Sequence, residues 1–124
     1  KYPAINVLGT ALQVCSQEPR TGWYRDGCCN TDETDYGSHT VCCRVTQNFL
    51  LFLRSRGNDL MTPAPQYGFP GLEAGDKWCV CAESWLKAFQ AGAACSVVLE
   101  ATHQRALEVI ELEMLLAHAV ASEA

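Results

Sequence analysis

A chain of 124 residues that is 48% hydrophobic and 19% charged, with three Trp, four Tyr and four Phe, has the composition of a globular domain and not of a disordered segment. Its net charge of -5 is uneven: residues 1–62 carry six basic and six acidic side chains, residues 63–124 three and eight, and no Lys/Arg stripe exists to neutralise phosphates. Nucleic acid is therefore not an expected partner. The apolar stretch Met114–Ala121 falls far short of the roughly 20 residues a bilayer span needs, so no membrane span is expected.

Eight cysteines make up about 6% of the chain, less than in short secreted disulfide scaffolds, and a domain of this length does not depend on staples. Free or metal-bound thiols in a cytoplasmic, reducing setting are expected ahead of disulfides. Lys1 in place of Met leaves room for a targeting segment upstream. No repeat or linker divides residues 1–124, which read as a single domain.

In chain order, Ile5–Leu8 is a short strand candidate ended by Gly9, followed by a turn-rich loop from Thr10 to Ser38. Loops this long inside compact domains are uncommon and often functional. His39–Val45 alternates like a strand, and Thr46 is placed to cap a helix from Gln47 to about Arg56, stopped by Gly57. A second loop, Asn58–Asp76, holds Pro70-Gly71, the central pair of a type II turn. Lys77–Ala82 reads as a strand and Glu83–Gln90 as a helix ended by Gly92. Ser96–Ala101 is a fourth strand candidate, Thr102 a cap for a helix from His103, and Leu107, Ile110, Met114 and Leu115 recur at helical spacing. The pattern predicts an α+β fold: a small, mostly antiparallel sheet with helices packed on it and two long ordered loops.

Several strings occur in one order: NVLG from Asn6, GWYRDGCCNT from Gly22, GSHTVC from Gly37, RGNDL from Arg56, FPGL from Phe69, GDKWCVC from Gly75 and LEATH from Leu99. Over Asn6 to about Ala119 the chain resembles the family called domain of unknown function 2237. The resemblance implies no activity. It marks Cys15, Arg25, Asp26, Cys28, Cys29, His39, Cys42, Arg56, Asn58, Asp59, Trp78, Cys79, Cys81, Thr102 and His103 as positions matching the family pattern. Trp23, Met61, Lys77 and Cys95 depart from that pattern, and Cys43 lies outside it.

Two kinds of chemistry follow from these residue types. In a strand, Cys79 and Cys81 share one face with Trp78 and Val80 on the other, which disfavours a bond between the two sulfurs and leaves a metal or a cysteine from another segment as partner. Cys28, His39, Cys42, Cys79 and Cys81 form the expected donor set for a transition metal such as zinc, although no C-x-x-C pair supports it. Alternatively, Arg25 beside Cys28 or Cys29 lowers a thiol pKa, with Asp26 adjacent and His39 or His103 as base, giving a thiol-dependent enzyme or redox protein. His103, after Thr102 at a helix start, is expected to stay neutral. In a third reading the cysteines are packing residues of a non-catalytic interaction domain. The leading expectation is the Cys/His metal site; substrate and oligomeric state are not legible.

Overall fold

Val41–Arg44 (β1) is the middle strand of a three-stranded antiparallel sheet in the computed structural model of the chain, which describes residues 2–120. Lys77–Val80 (β2) pairs along one side, from Val41 opposite Val80 to Arg44 opposite Lys77. Ser96–Val97 (β3) pairs along the other, with Cys43 opposite Val97. Three α-helices complete the fold among the described residues: Gln47–Ser55 (α1), Ala82–Gln90 (α2) and Leu112–Ala117 (α3). The class is thus α+β, as the sequence pattern predicts. Ala121, the end of the apolar C-terminal stretch, lies outside the described residues.

The two faces of the sheet bury different things because side chains alternate along a strand. Val41, Cys43, Trp78 and Val80 join Phe49, Leu50 and Leu53 of α1 and Trp85 and Ala88 of α2 in the main core. Cys42 and Cys79 leave by the opposite face into a separate small cluster with Cys15, Cys29 and Ala101. The long first loop therefore covers the second face of the sheet.

Local chemistry sets the element ends. The Thr46 hydroxyl accepts the Phe49 N–H at 3.1 Å and starts α1. Gly57, at φ +89°, supplies the left-handed residue that ends it, where the Asn58 N–H returns to the Leu53 carbonyl. At Gly71, φ is +80° and an added Cβ would lie 2.5 Å from the Met61 carbonyl oxygen, so the Pro70-Gly71 turn has no room for a side chain.

Three strand or helix boundaries differ from expectation. Ile5–Leu8 forms only isolated bridges, Ile5 with Ala11 and Asn6 with His103, because the buried Asn6 side chain bonds Thr10, Ala11 and Glu100 and holds this segment as a turn. Ser96–Ala101 stops as a strand at Val97, then makes a 3-10 turn over Leu99–Ala101. Thr102 does not cap: its hydroxyl donates to the Val98 carbonyl and accepts the Cys42 N–H, and His103 takes the cap position by accepting the Arg105 N–H.

Candidate functional site: a Cys-His-Asp constellation

Cys81 stands at the junction of β2 and α2, in extended conformation as the residue before the helix, and its side chain makes no capping bond. Its sulfur instead lies 3.2 Å from Nε2 of His39. The other ring nitrogen of His39, Nδ1, is 2.6 Å from Oδ1 of Asp35. Asp35 is buried, and its second carboxylate oxygen accepts the His39 N–H and the Thr31 hydroxyl, each at 2.9 Å. A buried carboxylate thus fixes an imidazole whose far side meets a half-buried thiol at a helix N-terminus.

The β1–β2 register carries the end of the loop toward this helix, and Ser38 ties it there. Ser38 sits at φ +52°, a left-handed conformation that costs a non-glycine residue about 1 kcal/mol. That twist lets its carbonyl accept the Ala82 N–H, the first of α2, at 3.0 Å. Gly37 is tightly packed: a Cβ there would lie 3.0 Å from the Cys81 sulfur and 3.2 Å from Cε1 of His39, so these side chains would have to give by a few tenths of an ångström. The hydrogen bond and charge of Cys81, with help from Asp35, raise the His39 pKa from 6.5 to about 9 against the opposing effect of burial. The Trp23 ring stacks on it, with centroids 5.4 Å apart.

Cys81 and His39 open onto a cavity of about 520 Å³ along the free edge of β2. Trp23, Tyr67, Phe69 and Trp78 give it aromatic walls, and Arg25, Asn58 and Asp59 give it polar groups. Arg25, also left-handed at φ +56°, donates to the Gly22 carbonyl at 2.8 Å and lays its guanidinium 5.0 Å from the centre of the Trp78 ring. At Gly22 a Cβ would run into the Cys28 carbonyl oxygen, so the glycine is what allows this loop to close down beside the cavity.

The residues proposed from sequence are distributed differently from either expected set. Cys29 is not a free thiol; it is bonded to Cys79, and Cys15 is bonded to Cys42. The expectation of unpaired thiols is corrected for these four cysteines. Cys28 is free, but burial and the Asp26 charge push its pKa up, the reverse of activation by Arg25. Asp26 accepts the Cys28 N–H at 3.0 Å and braces the loop. His103 is fully buried, with its pKa lowered chiefly by that burial, and bridges Asn6 away from the cavity. It stays neutral as expected, through burial first.

Of the expected metal donors Cys28, His39, Cys42, Cys79 and Cys81, only His39 and Cys81 meet as free side chains, while Cys42 and Cys79 are consumed by disulfides. The prediction that Cys79 and Cys81 are not bonded together holds, with a cysteine from another segment as the partner of Cys79. Cys43 and Cys95 are buried beside each other, which raises the Cys43 pKa. Asp35 was legible only as a turn residue, though a D-x-x-x-H spacing was there to be read. A sulfur cluster is present elsewhere: the sulfurs of Cys15, Cys29 and Cys79 all lie within 4.8 Å of one another, a spacing that could hold a metal ion only with the two disulfides reduced.

Among the described residues no helix is long and apolar enough to cross a membrane. No curated protein matches the sequence. A family model does match it, over residues 5–119, and the chain belongs to that family, described as uncharacterized protein conserved in bacteria (DUF2237).

Proposed function

We propose that the chain is a thiol-dependent acyl-transfer or hydrolytic enzyme with Cys81 as nucleophile, His39 as its proton partner and Asp35 as the group that orients His39. The observation that carries this reading is the continuous Cys81–His39–Asp35 contact at 3.2 and 2.6 Å, opening on a cavity with aromatic walls. A nucleophile within reach of a base that a third group orients is the general signature of covalent catalysis.

The chemistry assigns each group one task. The Cys81 thiolate attacks an acyl carbon, forming a C–S bond while the C–X bond to the leaving group breaks. The His39 imidazolium gives its Nε2 proton to that leaving group. Water then attacks the thioester, His39 takes up its proton, and the acid departs as the thiolate is restored. Asp35, bonded to Nδ1, keeps Nε2 aimed at sulfur throughout.

The position of Cys81 suits this role. The N-terminus of α2 favours negative charge on sulfur. Along β2 the Cys79 N–H leaves the sheet edge to meet the Thr21 hydroxyl at 2.8 Å. Strand alternation turns the Cys81 N–H outward on that same side, where it can meet an oxyanion. The aromatic walls fit a substrate with a flat apolar body.

The test is a p-nitrophenyl or aryl thioester acylation followed by peptide mass mapping. Acyl groups are expected on Cys81, with release of the leaving group in a burst, and no acylation in Cys81→Ser. Acylation at Cys28 in preference to Cys81, or equal slow labelling of both, would overturn the reading.

A further inference from the structure

The sulfur cluster on the second face of the sheet takes no part in the acyl-transfer scheme. Cys42 and Cys79 are directly opposed on β1 and β2. Neither amide bonds the other strand: the Cys42 N–H goes to Thr102 and the Cys79 N–H to Thr21, at 3.2 and 2.8 Å. Such a pair is of the non-hydrogen-bonded kind, whose side chains leave the sheet close together. The first loop carries Cys15 and Cys29 down onto them, and all four residues are buried, none more than 5% exposed.

Two separate staples have no need to share one neighbourhood, but here they do. The sulfurs of Cys15, Cys29 and Cys79 already lie within 4.8 Å of one another, and that of Cys42 is bonded to the first of these. Sulfurs around a tetrahedral zinc ion, with Zn–S near 2.3 Å, sit about 3.8 Å apart. An all-sulfur, fully enclosed donor set selects thiophilic ions over hard ones and leaves no open position for substrate, which is the character of a structural site.

We propose that Cys15, Cys29, Cys42 and Cys79, when reduced, form one tetrahedral tetrathiolate site for a divalent thiophilic ion such as zinc, and that the two disulfides are its oxidised form. In the forward step a phosphine or dithiol reductant gives two electrons to each S–S bond, which breaks and takes up two protons. The four thiols then lose their protons to solvent as the ion binds. A disulfide-forming oxidant reverses the step: four electrons leave the thiolates, two S–S bonds form and the ion is released. The site is independent of Cys81 and His39.

The experiment reduces the full chain with a phosphine under inert gas, removes the reductant and titrates cobalt(II). One cobalt per chain is expected, with the intense visible bands of tetrahedral cobalt and thiolate charge-transfer in the near ultraviolet, displaced by zinc. The oxidised chain takes up none, and Cys81→Ser, though unable to be acylated, is expected to take up one cobalt as wild type does. X-ray absorption of the zinc-loaded wild type is expected to give a single shell of four sulfurs near the usual Zn–S distance, so the ligand count needs no variant to fold. Diamide is expected to expel the ion and regenerate the Cys15–Cys42 and Cys29–Cys79 peptides. Failure of the reduced wild type to bind cobalt, folded or not, a mixed nitrogen and sulfur shell, or loss of binding in Cys81→Ser overturns the proposal.

Discussion

Nε2 of His39 lies 3.2 Å from the sulfur of Cys81 although 42 positions separate the two residues, where the β1–β2 register and the Ser38 bond to the first amide of α2 bring their segments together. The reactivity of Cys81 therefore depends on His39. In His39→Gln, alkylation of Cys81 by iodoacetamide at pH 7 is expected to slow severalfold, because the ring nitrogen that meets the sulfur at 3.2 Å is lost. Asp35→Asn is expected to slow it less, because the imidazole stays in place with a neutral partner. Mapping labelled peptides against time checks both, and a His39→Gln rate equal to wild type contradicts the pairing.

The same pair makes stability depend on pH. The His39 pKa rises on folding from 6.5 to about 9. The folded state thus holds a proton more tightly than the unfolded chain, and its contribution is fully present below 6.5 and lost as pH rises through about 9. Thermal melts of wild type and His39→Gln across this range are expected to differ most at the acid end and to converge above the upper value.

Gly37 is packed against both reacting groups. Gly37→Ala places a methyl group 3.0 Å from the Cys81 sulfur and 3.2 Å from the His39 ring, so both side chains are pushed by a few tenths of an ångström from their present contact. Acylation of Cys81 is expected to fall at least tenfold while urea unfolding shifts by about 1 kcal/mol, a typical cost for a small overpacked site. Loss of stability with unchanged acylation kinetics would show that the glycine serves the loop alone.

The disulfides close loops with sequence separations of 27 and 50 residues. Chain entropy assigns such cross-links about 3.5 and about 4 kcal/mol. Against a usual domain stability of about 5–15 kcal/mol, reduction without metal is expected to leave a marginal or unfolded chain. Circular dichroism in a phosphine and a chelator measures this, and restoration of the native spectrum by zinc is expected from the tetrathiolate site.

Trp85 tests the main core. It is fully buried, its Nε1 donates to the Cys95 carbonyl at 3.1 Å, and its ring stacks on Phe89 at 5.6 Å. Trp85→Ala is expected to cost about 3–5 kcal/mol in urea unfolding. Labelling of Cys81 in whatever fraction stays folded is expected to be unchanged, since Trp85 lies on the core side of α2.

The sequence alone determined the elements whose signals are local. Thr46 and Gly57 bound α1, Gly92 follows α2, and the alternation through Lys77–Val80 separates Trp78 from Cys79, because caps and side-chain periods act over a few residues. The family strings likewise mark the loop that carries the site. Tertiary structure decided which thiol is free and which is bonded. Cys28 and Cys29 are adjacent, yet one is free and the other meets Cys79 across 50 positions, because β1–β2 register and the path of the first loop choose the partner. Asp35 looked like one turn residue among several until folding buried it under His39. Sulfur chemistry depends on distances of a few ångströms between remote segments, and only the packed chain sets those distances.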